Sequence, residues 1–287
     1  MNKEWPLRWD LLLRYRLIEI IVFWEGRLTT NHLIDTFGIG RQQASKDINN
    51  YNNKVGVGNL VYDKFLKGYK PTPHFEPAVT SGTADEYLHL LNRNNDLSQT
   101  FDTLPLATGN TEILHVPVRN IDPSIIRAIV TAARQQKRLD VDYVSVNNPN
   151  REGRVIAPHT IVHTGLRWHV RAWCEKNQDY RDFVLSRFRG VPEIMDLSEH
   201  NIDDDTSWNT PVTIKLKPDT RLSREQKAVI ARDYGMTNGV LKIATRGSLV
   251  QYALQQLHVD DKLLQGKPSA QQIIISNYSD IQTWLFR

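Results

Sequence analysis

Thr29-Thr30-Asn31-His32-Leu33-Ile34-Asp35-Thr36-Phe37-Gly38-Ile39-Gly40-Arg41-Gln42-Gln43-Ala44-Ser45-Lys46-Asp47-Ile48 reads as two short helices joined by a glycine turn. Thr29 or Thr30 can cap the first helix, and Leu33, Ile34 and Phe37 supply its apolar residues. The Gly-Ile-Gly turn offers one apolar plug. In the second helix, expected to run from Arg41 to about Asn53, Ala44, Ile48 and Tyr51 fall at i, i+4 and i+7 and form one buried face. The opposite face carries Arg41, Gln42, Gln43, Ser45, Lys46, Asn49 and Asn50. Those side chains suit DNA: arginine chelates guanine, glutamine and asparagine pair with adenine, and serine and lysine reach phosphates. The small Ala44 lets two helices approach closely.

The surroundings complete the pattern. Upstream, residues 7–24 are strongly apolar and predict a largely buried helix ended by Gly26. Downstream, residues 60–62 and 65–70 read as two strands around a turn, a wing that would set Lys64, Lys67, Tyr69 and Lys70 over the DNA backbone or minor groove. A plain three-helix interaction module with a wet polar face is the competing reading. The order of turn, small residue and wing favours a winged helix-turn-helix over residues 1–75.

Charge divides the rest of the 287 residues. Residues 1–75, 118–191 and 208–287 carry net charges of +4, +6 and +5, whereas 76–117 and 192–207 carry −5 and −6. The acidic stretches suit linkers, expected at 76–117 and 198–209, and the basic blocks suit anionic partners. Asp203-Asp204-Asp205 reads as a solvated charge run. The 40% hydrophobic and 24% charged composition excludes wholesale disorder. No apolar run reaches the ~20 residues of a membrane span, and no signal peptide opens the chain. The lone Cys174 excludes an internal disulfide and reads as a small buried residue. A cytoplasmic, non-membrane protein is the expectation.

In the central block, residues 124–137 predict an amphipathic helix after Pro123. Residues 139–146, 154–162, 166–174 and 180–185 then alternate as strands, with turns at Asn148-Pro149 and Thr164-Gly165. One helix and four or five short strands predict a small SH3/Sm-like barrel. Eleven of the thirteen basic residues in 118–191 are arginines, the side chain best shaped for phosphate and carboxylate. Strand alternation groups Arg167, His169 and Arg171 on one face, and Arg181 with Phe183 leading to Arg187. With Tyr143, Ser145 and His159 these form the candidate pocket for an anionic ligand with a flat ring.

Arg167-Trp168-His169-Val170-Arg171-Ala172-Trp173 followed by Arg181-Asp182-Phe183-Val184-Leu185-Ser186-Arg187 resembles the core of the WYL domain. Asp142-Tyr143-Val144-Ser145 and Ala157-Pro158-His159 fit its earlier strands, and Trp168-His169-Val170 stands where the family has Trp-Tyr-Leu. The whole order is similar to bacterial WYL transcriptional regulators. Gln43-Ala44-Ser45-Lys46-Asp47-Ile48 and Tyr51 resemble most the repressors beside phage-defence operons, such as the BREX-associated regulator. The resemblance implies a homodimer, a double-stranded DNA operator with an inverted repeat, repression, and a nucleotide or nucleic-acid ligand bound at 118–197.

Residues 210–287 read as strand, helix, strand, helix, strand, expected as a ferredoxin-like α+β extension serving dimer contact. The whole is thus an α+β multi-domain chain. His159, His163 and His169 lack the carboxylate or cysteine company of a metal site, so neither metal nor cofactor is expected. There is no P-loop, G-x-G-x-x-G or G-x-S-x-G. The alternative from another class is a metal-independent nuclease, or another nucleic-acid-processing enzyme, using the His/Arg-rich barrel.

Overall fold

A computed structural model describes residues 8–98, 114, 117, 119–146, 149–150, 152–259 and 267–286, with the backbone alone for 92–98. Asn148 of the expected turn, and most of 99–118 in the expected linker, lie outside the described residues. The chain divides into two units, Met1–His115 and Val116–Arg287.

In the first unit, α1 (Trp9–Ile20) runs into a π-helical turn, Ile21–Glu25, and stops at Gly26, whose φ of 74° favours glycine. The Thr29 amide donates to His32 Nδ1 at 3.0 Å, which caps α2 (Thr30–Phe37). Gly38, at φ 62°, ends α2, and α3 (Arg41–Asn50) begins three residues later. Ala44, Ile48 and Tyr51 are fully buried against Ile18, Ile21, Leu28 and Leu33, so the i, i+4, i+7 face is the packed one.

The wing is a hairpin of β1 (Leu60–Asp63) and β2 (Gly68–Pro71), extended by a bridge between Leu28 and Tyr69. Its turn is longer than the sequence pattern predicts. Phe65, Leu66 and Lys67 belong to the turn rather than to the second strand. Asp63 is the reason: its Oδ1 accepts from the amides of Phe65 and Leu66 at 2.9 and 3.1 Å, which curls the chain early.

Residues 76–98, expected as linker, are structured in this unit. The carboxylate of Glu19, on α1 and fully buried, accepts from the amides of Ala78, Val79 and Thr80, from Thr80 Oγ1 and from the Tyr51 hydroxyl, all at 2.7–3.1 Å. That set of donors satisfies a buried charge and pins the acidic segment down before α4 (Ala84–Ser98).

In the second unit, the Asp122 carboxylate accepts from the Ser124 amide at 2.8 Å and starts α5 (Pro123–Gln135). α5 buries Ile125, Ala128, Ile129 and Ala132 against an antiparallel sheet. The strands are β3 (Lys137–Tyr143), β4 (Glu152–His163), β5 (Trp168–Cys174), β6 (Asp179–Val184) and β7 (Phe188–Leu197). Their order is β6-β5-β4-β3-β7. β6 and β7 are edges that do not pair with one another, so the expected closed barrel is an open five-stranded sheet with α5 on one face.

The acidic stretch then forms α6 (Thr206–Asn209) before β8 (Pro211–Pro218), α7 (Arg224–Asp233), β9 (Leu241–Arg246), α8 (Val250–Gln256) and β10 (Ile273–Ile275). The sheet order is β10-β8-β9, and both pairings are antiparallel. A ferredoxin-like unit makes helix-linked strands parallel. Here β8 and β9, linked by α7, are antiparallel neighbours, so that expectation does not describe these strands.

Candidate DNA interface and ligand pocket

α3 presents its polar side as expected. Arg41, Gln42, Gln43, Lys46 and Asn49 are exposed, and Ser45 and Asn50 are half-buried. Gln43 is also held from inside: its Nε2 donates to Asp47 Oδ1 at 2.7 Å. Asp47 is buried, and its other oxygen lies 2.8 Å from Arg14 Nε on α1. This Arg14–Asp47–Gln43 chain fixes α3 on α1 and orients Gln43, a role its surface position in the sequence did not reveal.

On the wing, Lys64 and Lys67 are exposed, whereas Lys70 Nζ is 2.7 Å from Asp63 Oδ2. Tyr69 packs edge-on against Tyr62 at 5.4 Å and gives its backbone to Leu28. Among the described residues Lys64 and Lys67 make no ion pair, whereas Lys70 and Tyr69 also shape the hairpin.

The sheet of the second unit splits its candidates differently. Tyr143 and Phe183 are core residues. Tyr143 packs edge-on against Phe183 and Phe188, and its hydroxyl accepts from the Val184 amide at 3.0 Å. Ser145 lies half-buried just beyond β3. Arg181 is exposed at an edge strand, 3.2 Å from Asp179.

Arg171 and His159 are committed to Asp205. Arg171 Nε and Nη2 donate to its two oxygens at 2.7 and 3.0 Å, a bidentate fork. His159 Nε2 lies 3.2 Å from Asp205 Oδ2, and its ring packs edge-on against Tyr180 and Trp208. Asp205 also caps α6 through the Trp208 amide at 3.1 Å. Asp205 is thus 1% exposed and leaves the solvated run expected at 203–205, of which Asp203 and Asp204 are exposed. Burial pushes its carboxyl pKa up, but the bonds from His159 and Arg171 and the Arg171 charge outweigh that and hold it far below the usual range.

The remaining candidates are His169, which is buried, and Arg167 and Arg187, which are half-buried. His169 is 5% exposed, and its Nδ1 has no hydrogen-bond partner among the described residues; nor has the buried Nε of Arg167. Burial lowers the His169 pKa; Asp182 opposes this, and Arg167 and Arg187 add to it. A cavity of about 580 Å³ opens beside His169 and Arg167. Its far wall is Tyr252, Gln255, Gln256 and His258, from α8 and the turn after it. Nothing local in the sequence joins these residues to β5, from which they lie some eighty residues away. A second cavity of about 380 Å³ shares Arg167 and Leu166 and adds Arg119, His163 and Trp168. Tyr252 ties the two parts of the unit together, its hydroxyl donating to Asp182 Oδ2 at 3.1 Å, while Asp182 Oδ1 lies 3.3 Å from Arg171 Nη1. No group of three or more metal-ligating side chains occurs among the described residues.

A winged helix with an open polar reading helix, followed by a helix-backed sheet bearing an Arg/His cavity, defines a winged-helix regulator of the WYL type. Residues 10–93 match the BrxR transcriptional regulator winged helix-turn-helix domain, 124–192 the WYL domain, and 211–281 the BrxR C-terminal dimerization domain. The DNA-binding transcriptional repressor CapW of Escherichia coli (strain KTE188) is 32% identical over 97% of this chain and 93% of its own length. CapW of Stenotrophomonas maltophilia is 29% identical over 97% and 93%, and CapW of Pseudomonas aeruginosa 30% over 96% and 92%. The chain belongs to the family of the CapW DNA-binding transcriptional repressors, and its first and last domains are of the BrxR transcriptional regulator type. That family consists of regulators rather than enzymes, which removes the nuclease alternative.

Proposed function

We propose that the chain is a homodimeric, sequence-specific repressor that binds an inverted-repeat operator in double-stranded DNA and controls a phage-defence operon in the cytoplasm. The observation that carries this reading is α3, packed on one face through Ala44 and Ile48, with Tyr51 just beyond its end, while Arg41, Gln42, Lys46 and Asn49 remain exposed on the other. In the proposed division of labour, residues 1–75 read DNA, 118–197 sense a ligand and 210–287 dimerise. The ligand is a nucleotide or short oligonucleotide. Arg167 supplies charge for its phosphate, His169 Nδ1 an unsatisfied polar atom, and the Tyr252 and Trp168 rings surfaces for its base. Because the cavity has walls from both β5 and α8, a bound ligand biases the position of the dimerisation segment relative to the sensor sheet. The half-site spacing that the dimer accepts changes with it.

Footprinting on the DNA upstream of the gene tests the reading. The expected result is a protected inverted repeat whose half-site centres lie about 10 bp or a multiple apart. Inserting about half a helical turn between the half-sites abolishes tight binding. Absence of any protected site, or undiminished affinity for the lengthened one, contradicts a two-fold DNA-binding dimer.

A further inference from the structure

Phe65 stands at the apex of the wing and is 98% exposed. A single exposed apolar side chain is ordinary on a protein surface. This one differs in how firmly its backbone is held. The Asp63 carboxylate accepts from the amides of Phe65 and Leu66 and pairs with Lys70 through its other oxygen. From the side, Arg27 Nε donates to the Leu66 carbonyl at 2.7 Å. Lys67 closes the turn at a left-handed φ of 47°, and the Leu28–Tyr69 bridge braces the hairpin base. The ring is therefore presented by a fixed loop, with Leu66, 44% exposed, beside it.

Charge selects the occupant. Phe65 is flanked by Lys64 and Lys67, both exposed and without an ion pair among the described residues, while the one acidic residue of the hairpin is consumed by Lys70 and the turn amides. A rigid apolar wedge between two free cations matches a DNA minor groove. There the cations meet phosphates on the two walls, and the wedge presses on sugars and base edges or opens a base step.

We propose that Phe65 is a minor-groove wedge that partly unstacks a base step flanking the half-site read by α3, so that the wing reads the deformability of the DNA. The proposal rests on the reading of the N-terminal unit as a DNA-binding module. It implies a preference for a flexible pyrimidine–purine step under the wing over a stiff A-tract.

The test uses the full chain and its footprinted operator, with 2-aminopurine placed in turn at each step flanking the half-site. Wild type is expected to raise 2-aminopurine fluorescence at one flanking step and to bend the fragment in a permuted-site gel assay. Phe65→Ala is expected to lose both signals and to weaken operator binding roughly tenfold, the scale of one disrupted base-pair position. Its salt dependence stays unchanged, because no phosphate contact is removed. Phe65→Leu is expected to retain part of the bend, and Lys64→Ala to keep the fluorescence signal while flattening the salt dependence. An unaltered melting curve for Phe65→Ala confirms that the exposed substitution leaves the fold intact. Unstacking and bending that persist in Phe65→Ala overturn the proposal. So does operator binding by wild type with no fluorescence change at any flanking step, a result that leaves the DNA-binding reading standing. A wild type that binds no DNA overturns both. A Phe65→Ala chain that binds DNA normally but changes oligomeric state in light scattering assigns the ring to a contact between copies and overturns the wedge.

Discussion

α3 in the first unit and β5 in the second carry similar side chains, arginine among polar residues on one face of an element packed by its other face. They end in different states. On α3, Arg41, Gln42, Gln43, Lys46 and Asn49 are exposed, and Gln43 also bonds inward to Asp47. On β5, Arg171 is buried and gripped by Asp205 and Asp182, and His169 is buried beside a cavity. A helix surface partners itself only at i±3 and i±4, so its polar face stays open unless another element covers it. A sheet face is covered by whatever chain returns over it, here α6 and α8, and the returning chain brings carboxylates. The same basic composition therefore stays exposed in one place and becomes mostly internal structure in the other.

The largest expected effect breaks the internal side of this contrast. Asp205→Ala leaves the Arg171 guanidinium buried without its bidentate partner and is expected to destabilise the second unit by about 3–5 kcal/mol in denaturant melts. The pH dependence has a definite sign. Asp205 titrates far lower folded than the ~3.9 of an unfolded aspartate, so its contribution is complete above that value and is lost as pH falls toward the folded one. Asp205→Ala is expected to flatten that acid-side loss. A mutant as stable as the parent makes Arg171 an available ligand group after all.

Glu19→Gln tests the corresponding anchor in the first unit. It replaces a charged acceptor of backbone and hydroxyl donors with an amide, and a loss of about 2–3 kcal/mol is expected. Hydrogen exchange is the specific readout: the amides of Ala78, Val79 and Thr80 lose protection first. Unchanged protection there removes Glu19 as the anchor of the acidic segment.

On the open side, Arg41→Ala is expected to cost about 1–3 kcal/mol of operator binding, confined to one base pair per half-site. Lys67→Ala weakens all sequences alike and lowers the salt slope by about one. Equal binding of operator and random DNA by the Arg41 variant, at parental strength, moves the reading face elsewhere.

The smallest effect sharpens the comparison at the cavity. The His169 imidazole is expected to titrate below the usual ~6.5 in a proton NMR experiment, because burial disfavours its charge. As pH falls from about 6.5, the unfolded chain takes up a proton before the folded one, so this group costs stability on the acid side. Adding a nucleoside monophosphate is expected to raise the His169 value, since an anion between Arg167 and His169 favours the imidazolium. A value that does not move places the anion elsewhere.

The winged helix was the most legible part of the sequence. Its evidence is local: the Ala44, Ile48, Tyr51 spacing, the glycine turn and the polar face of α3 all lie within twenty-five residues and obey helical geometry alone. The strand alternation that set Arg167, His169 and Arg171 on one face was equally local, and the buried Val170, Ala172 and Cys174 occupy the other. Tyr143 and Phe183 looked like pocket residues because alternation says which face a side chain takes, not whether that face is core or cavity. Phe65 looked like a strand residue because nothing in its neighbours announces that Asp63 will capture two amides and curl the chain.

By itself the sequence determined the elements, their faces and the order of the modules, since periodicity, caps and turns act over a few residues. Only the tertiary structure decided which charges remain available. Asp205 meets Arg171 across thirty-four residues, Glu19 meets the amides of 78–80 across about sixty, and Tyr252 closes the cavity over His169 from the far side of β8 and β9. A charge is satisfied by its neighbours in space, and for Arg171 and Glu19 those neighbours come from segments whose composition alone reads as solvent-exposed linker.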